Sequence, residues 1–355
     1  MDIVNSRLVK FGLPNLDAWH LPTLDTPIPV SPFDNAILTW IFDGSMNVMT
    51  PLTIALVYFT SVHFINPIVV KRQLNKYYKA NPKEAEKKSI PKRLGAAPYC
   101  IARSSIFNVF VFLHNVFLCA YSVWTFIGMT SSILSNMELF KGLILPNLLN
   151  SLNTKQINYK SFEVFFQSIC DSNQGIFSKL VVDKVGQHNL EIFGWWFYIS
   201  KFYEVLDTVI ILLKGRPSSL LQSYHHSGAM MCMWAGIRFQ SPPIWIFVVF
   251  NSFIHSLMYF YFSLSCLHIR VPIIFKRVLT SLQITQFVVG GSIAILHAFI
   301  WIVDTSDYEN LKIISCINTP DQALPILINV AYLAPLTGLF AAFYIESYLK
   351  RGKSA

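Results

Sequence analysis

The sequence predicts an all-α integral membrane protein, a bundle of seven transmembrane helices, and three observations predict it. Hydrophobic residues make up 53% of the 355 and charged residues only 13%, where a soluble domain carries about a quarter charged. The apolar residues fall in separate runs, most of them near the roughly 20 residues that cross a hydrocarbon core. The basic residues collect between those runs, as topology determinants do.

Residues 1–50 contain Pro14, Pro22, Pro27, Pro29 and Pro32 and little helical periodicity. They read as a lumenal N-terminal segment, a loop with one interfacial helix around the apolar piece Ala36–Phe42. No cleavable signal is expected, because polar and proline-rich sequence, not a short basic region, precedes the first apolar run. The membrane domain is expected over residues 51–345. Its first span, Pro51–Val70, stops at KRQLNKYYKANPKEAEKKSIPKR, which holds nine Lys and Arg in 23 positions and belongs in the cytosol. The second span is Ser105–Met129. A mixed segment follows to Glu191, with amphipathic pieces such as Leu139–Leu149 that are too short to cross.

The third span is expected over Ile192–Lys214 and the fourth over Ser223–Gly236, whose apolar part is short. Pro242 and Pro243 open the fifth, Ile244–Leu267; the sixth is Val278–Val303 and the seventh Leu324–Tyr344. Residues 346–355 form a basic tail. Seven crossings put the N-terminus in the lumen and the C-terminus in the cytosol, and the charges agree. Cytosolic segments hold 18 Lys or Arg and lumenal ones nine, with Lys201 inside a span. The net charge of +9 therefore reads as topology and contact with anionic lipid rather than nucleic-acid binding. Six cysteines show no CxxC spacing, which argues against a zinc or redox site. Cys170 and Cys316 lie alone in lumenal loops, so a disulfide between them is a hypothesis. Arg351 and Lys353 resemble a di-basic retrieval signal of the endoplasmic reticulum, and a plain positive-inside anchor reads the tail equally well.

Chemistry is expected between Lys201 and His255. Lys201, Glu204, Asp207 and Thr208 stand at i, i+3, i+6 and i+7 of the third span, so one helix face is ionisable where lipid would charge about 2.5–3.5 kcal/mol per group. A buried structural ion pair explains Lys201 and Glu204 as well as a functional role does. Gln222, His225 and His226 open the fourth span after the basic loop Lys214–Pro217. Asn251, His255 and Tyr259 form a polar seam of the fifth span, and Thr280, Gln283 and Gln286 one of the sixth. Such seams also glue helices together. Three in the same halves of their spans imply a common cavity.

KFYEVLDT resembles the KxxExxDT box of the ELO family of very-long-chain fatty acid elongases. QSYHH is similar to its HxxHH box with glutamine first, as in fungal and protist members. NSFIHSLMYFYF is similar to NxxxHxxMYxYY except at Phe262, and TSLQITQF to TxxQxxQF. The resemblance implies seven helices enclosing an acyl tunnel in the endoplasmic reticulum. It implies condensation of an acyl-CoA, polyunsaturated for some members of that subgroup, with malonyl-CoA to 3-ketoacyl-CoA, CO2 and CoA, with these co-substrates and no cofactor or metal. It implies His225, His226 and His255 as catalytic residues. Lys201, Glu204, Asp207, Thr208, Gln222, Asn251, Tyr259, Gln283 and Gln286 would bind or position substrate. Imidazole serves as nucleophile or base near neutral pH, and the reading is His225 as nucleophile, His226 or His255 as proton-transfer partner, and Asn251 or Gln283 as oxyanion donor. Which histidine does which stays open. The basic loops would meet CoA phosphates. Partners implied are membrane lipid and the ketoacyl reductase, dehydratase and enoyl reductase of the cycle; a homo-oligomer is left open. Two other classes fit the sequence less well. A di-iron desaturase or hydroxylase uses several histidine boxes, whereas this chain has nine histidines and one HH pair. A transporter or seven-helix receptor lacks a reason for that pair, and no inverted repeat is visible.

Overall fold

Thirteen α-helices and three short strands occur among the described residues of the computed structural model, which are 7–23, 26–87, 90–91, 94–151 and 159–350. Arg351 and Lys353 of the tail, and Lys88, Lys92 and Arg93 of the basic loop, lie outside them. In chain order come β1 (Val9–Phe11), α1 (Ala36–Met46), α2 (Met49–Ala80), α3 (Pro82–Glu86), α4 (Ser105–Leu139), α5 (Leu145–Ser151), α6 (Ser161–Cys170) and α7 (Leu180–Val185). Then follow α8 (Leu190–Tyr203), α9 (Val205–Leu213), α10 (Leu220–Arg238), α11 (Ile244–Cys266), α12 (Ile273–Leu296), β2 (Ile300–Val303), β3 (Ile313–Ser315) and α13 (Pro320–Tyr344).

Among the described residues five helical stretches are long and apolar enough to cross a membrane: Met49–Ala80, Ser105–Ser151, Ile244–Cys266, Ile273–Phe299 and Pro320–Leu349. The other two expected spans do not meet that measure, for two different reasons. The third is interrupted: Glu204 stands between α8 and α9 with φ −61° and ψ −14°. The fourth is α10, which carries its polar residues into the protein interior rather than gaining apolar ones for lipid.

Helix ends differ from span ends because hydropathy reports where lipid stops, not where the backbone ladder stops. α2 is 32 residues long, about 48 Å at 1.5 Å per residue, and so carries Lys71, Arg72, Lys76 and Lys79 as helix beyond the span expected to end at Val70. α4 begins with Ser104 as its cap, the hydroxyl accepting from Phe107 N at 3.1 Å. It runs past Met129 and through a π-helical turn, Phe140–Ile144, into α5. α10 starts at Leu220 on a Ser219 cap, which places Gln222, His225 and His226 inside its first two turns.

The fold is not wholly helical. The last four residues of the expected sixth span form β2, paired antiparallel with both β1 and β3 in the order β1-β2-β3. Ile-Trp-Ile-Val is β-branched and aromatic, and on a pleat its alternate residues Ile300 and Ile302 are buried while Trp301 stays half-buried. The sheet caps the bundle end opposite residues 94–99. Gln167 of α6 clamps it, its Nε2 donating to Val303 O at 2.6 Å and its Oε1 accepting from Val303 N at 3.0 Å. Cys170 at the end of α6 is disulfide-bonded to Cys316 after β3, the two Cα atoms 4.9 Å apart. The hypothesised pairing is therefore present.

The described residues of the N-terminal segment are more than a loop. The expected helix is α1, and Ser45 and Met46 at its end accept from indole and phenol donors: Trp195 Nε1 to Ser45 Oγ (2.9 Å), Tyr198 OH to Ser45 O (2.9 Å) and Trp234 Nε1 to Met46 O (2.8 Å). The largest core cluster forms around these rings, with Phe42, Trp195, Tyr198 and Phe140 among its members.

At the other end a strap, residues 94–99, crosses from the basic loop to α4. Ala97 N donates to Gly215 O and Tyr99 N to Leu213 O, both at 3.1 Å. Gly215 has φ +68°, and a Cβ there would overlap the Ala97 carbonyl, so both its conformation and its closeness require glycine. Arg72 donates to Ala97 O and Pro98 O and lies over the Tyr99 ring, and Lys76 donates to Ala96 O. These two cations of the basic loop are thus engaged in holding backbone.

The disulfide joins segments 146 residues apart. Cys170→Ser, Cys316→Ser and the double variant should each lose about 2–5 kcal/mol of stability, and equally, because each breaks the same bond. Thermal unfolding of the purified variants, alongside non-reducing peptide maps, checks both points.

Candidate functional site

Glu204 is the centre of the site, and its place follows from the break between α8 and α9. Buried with 3% exposure, its carboxylate accepts from Lys201 Nζ at 2.7 Å and from Ser200 Oγ at 3.3 Å through Oε1. Lys201, 2% exposed, also lies over the Phe197 ring and donates to Asn251 Oδ1 at 3.1 Å. An isolated charge at this depth costs several kcal/mol, so each member needs the other.

Two imidazoles face the remaining oxygen. His226 Nδ1 lies 3.9 Å and His255 Nε2 3.8 Å from Glu204 Oε2, both beyond hydrogen-bond length. Their other nitrogens are engaged. His255 Nδ1 donates to the Asn251 carbonyl at 2.8 Å, the only direction a carbonyl allows. Gln222 Nε2 donates to His226 Nε2 at 2.8 Å, one helical turn away on α10. Glutamine thus supplies a hydrogen bond from the position where the box has its first histidine. The His225 ring lies near-parallel to that of His255, 6.2 Å away with 24° between planes. His225 Nδ1 is bonded to the hydroxyl of Tyr332 on α13 at 2.8 Å, and no hydrogen bond among the described residues uses its Nε2.

Beside these groups lies an open cavity of about 1130 Å³, bounded by α4, α9, α10, α11, α12 and α13. Asp207, Gln222, His225, His226, Asn251, His255, Gln283 and Gln286 line it. The expected residues Lys201, Glu204, Thr208 and Tyr259 do not: they stand one layer behind, where Lys201 holds Asn251 and Glu204 faces the imidazoles. Thr208 is turned to α2, its hydroxyl 2.8 Å from Tyr58 OH. Tyr259 OH donates to Asp207 Oδ2 at 2.6 Å. Among the described residues Gln283 hydrogen-bonds only to the Met258 thioether, at 3.8 Å. Thr280 bonds the Lys276 carbonyl of its own helix. Ala96 and Pro98 of the strap line the cavity as well, together with the basic residues Lys214 and Arg216. Asn251, Gln286 and Phe287 also border a small apolar pocket between α11, α12 and α13, lined further by Ile246, Phe250 and Leu333.

Two site residues escaped the sequence reading. His114 of α4 donates to Asp207 Oδ1 at 2.8 Å and accepts from Tyr203 OH at 3.2 Å. Its signal was present, an ionisable residue within an apolar span. Tyr332 carried none, because a tyrosine in an apolar helix is ordinary. Among the described residues no three His, Cys, Asp or Glu side chains are grouped as metal ligands.

If the buried pair is what makes the site stable, Lys201→Met should cost about 3–5 kcal/mol by leaving Glu204 uncompensated. Lys201→Met with Glu204→Gln should recover much of that loss. Denaturation midpoints of both proteins, in the same detergent, measure the difference.

The family model described as ELO: GNS1/SUR4 family matches residues 45–355. Fatty acid elongase 2 of Trypanosoma brucei brucei is 30% identical over 187 residues, 51% of this chain and 66% of that protein. Very long chain fatty acid elongase 3 of Homo sapiens is 28% identical over 170 residues, 48% of this chain and 58% of that one. Fatty acid elongase A of Dictyostelium discoideum is 27% identical over 246 residues, 68% and 73% of the two chains. The matches to the first two thus cover less than two thirds of those relatives' length. No solved structure matches the chain.

Proposed function

Because the chain belongs to the GNS1/SUR4 family, we propose that it is the condensing enzyme of fatty acid elongation, a very-long-chain 3-oxoacyl-CoA synthase. It joins a long-chain acyl-CoA to malonyl-CoA and gives 3-ketoacyl-CoA, CO2 and CoA. The observation that carries this is the placing of His225, His226 and His255 on the wall of one large cavity, with Lys201 and Glu204 behind them. Relatives named as fatty acid elongases support the same reaction class.

His225 is the nucleophile. With Nδ1 engaged by Tyr332, its Nε2 lone pair attacks the acyl thioester carbonyl; the C–S bond breaks and CoA leaves as thiolate. Malonyl-CoA then loses CO2, and the carbon–carbon electron pair becomes an enolate. The enolate carbon attacks the acyl-imidazole, and the acyl–nitrogen bond electrons return to Nε2. One proton is consumed overall, on the CoA thiolate. The geometry favours His255 over His226 as its carrier, because Gln222 occupies His226 Nε2, whereas His255 Nε2 faces Glu204 across 3.8 Å. A proton taken there is stabilised by the carboxylate. Asn251 is favoured over Gln283 as oxyanion donor: its Oδ1 is held by Lys201, which leaves the amide N–H groups for the cavity.

The seven-helix arrangement belongs to this reading too, with α8–α9 as the third span and α10 as the fourth. The protein then resides in the endoplasmic reticulum membrane with the N-terminus lumenal and the C-terminus cytosolic. CoA meets the cavity at its basic lining residues Lys214 and Arg216, and the 3-ketoacyl product passes to a ketoacyl reductase, dehydratase and enoyl reductase.

Purified protein incubated with radiolabelled malonyl-CoA and a panel of saturated, monounsaturated and polyunsaturated acyl-CoAs should release labelled CO2 and 3-ketoacyl product. Absence of both across the panel, or two irons per chain, rejects the reading. His225→Ala should lower the rate by at least about 10³-fold. His255→Gln should lower it by about 10²–10⁴-fold while still accepting label from acyl-CoA.

A further inference from the structure

Tyr332 lies 107 residues from His225 in sequence, on a helix that contributes none of the motif residues. Its hydroxyl meets His225 twice: it donates to the backbone carbonyl oxygen at 3.0 Å and stands 2.8 Å from ring Nδ1. A hydroxyl has one proton, and a carbonyl oxygen has none to give. Were the phenol proton given to Nδ1, two oxygens would face each other at 3.0 Å with lone pairs only. The arrangement is satisfied when the phenol donates to the carbonyl and accepts from Nδ1–H.

From this we propose that Tyr332 is a positioning residue that fixes the tautomer of His225, holding the proton on Nδ1 and the lone pair on Nε2. The proposal rests on the reading of His225 as nucleophile. In the other tautomer Nε2 would carry hydrogen and could not attack a thioester. When Nε2 is acylated the ring becomes cationic, and the same Nδ1–H bond strengthens as a charge-assisted one. The phenol therefore favours the reactive form before the step and the acylated form after it.

The local sequence around His225 builds the seat for this phenol. Tyr224 stacks on the Tyr332 ring at 5.6 Å and 25°, and its hydroxyl donates to the Tyr332 carbonyl at 3.3 Å. Gly228, three residues beyond His225, has no Cβ; one there would overlap the Tyr332 ring. Glycine inside a helix costs about 1 kcal/mol against alanine, and here it opens the notch that lets α13 bring a hydroxyl onto α10. Tyr332 is also buried, so water does not compete for Nδ1.

Tyr332→Phe keeps the ring and removes the hydroxyl. It should lower kcat by about 10–100-fold, the range in which outer partners of a working imidazole act, with KM for both substrates within about twofold and thermal stability near wild type. Gly228→Ala, which leaves the hydroxyl but displaces the ring, should give a similar kcat loss. The two together should be no worse than either alone, because both remove one interaction. Nitrogen-15 NMR of histidine-labelled protein reads the tautomer without any turnover: His225 should be protonated at Nδ1 in the wild type and shift toward Nε2–H in Tyr332→Phe. A wild type protonated at Nε2, or a Tyr332→Phe protein with unchanged kcat and tautomer, overturns the proposal. Failure of the wild type to condense acyl-CoA with malonyl-CoA overturns the functional reading instead, and the NMR result still decides Tyr332.

Discussion

One buried carboxylate organises this protein. Glu204 interrupts the third apolar run, and the helix breaks there into α8 and α9. Lys201 neutralises it from the preceding turn, and the same ammonium orients Asn251 on α11. From α10 and α11, His226 and His255 then approach the free oxygen. Three helices are tied at one point by groups that would each be costly alone in a low-dielectric interior. The pair does not border the cavity; it sets the orientation of what does.

A second polar cluster sits beside the first and shares the run that begins with α8. Asp207 receives His114 from α4 and Tyr259 from α11, while Thr208 bonds Tyr58 of α2. Successive residues of one motif are thus spent on different neighbours, because the helical rotation of about 100° per residue points them apart. This explains why a single box of eight residues reaches four other helices without all of it lining the cavity.

Much of the site was legible in the sequence, since charges and paired histidines in apolar runs stand out against the cost of burying them. His225, His226, His255 and Asn251 were found in that way and do share one cavity. What was not legible depended on contacts distant in the chain. Ile300–Val303 is as apolar as the helix before it, so composition could not show that it pairs with Val9–Phe11. Basic residues ended the first span on paper but not the helix, since Lys and Arg are good helix formers. Lys201, Glu204 and Thr208 share a face on an ideal helix, and the break at Glu204 removed that premise. Tyr332 is visible only once α13 lies against α10.

Gln222 bears on how the site holds its charge. The buried cluster contains one carboxylate, one ammonium and the imidazoles of His225, His226 and His255. A fourth imidazole at residue 222 would add a group able to take up a proton and a positive charge beside His226. Glutamine gives the same hydrogen bond to His226 Nε2 yet has no proton to gain or lose near neutral pH. The cluster therefore has half as many protonation states as a four-imidazole version. Acidification adds no charge at residue 222 itself, where a histidine making the same bond to His226 would have gained one.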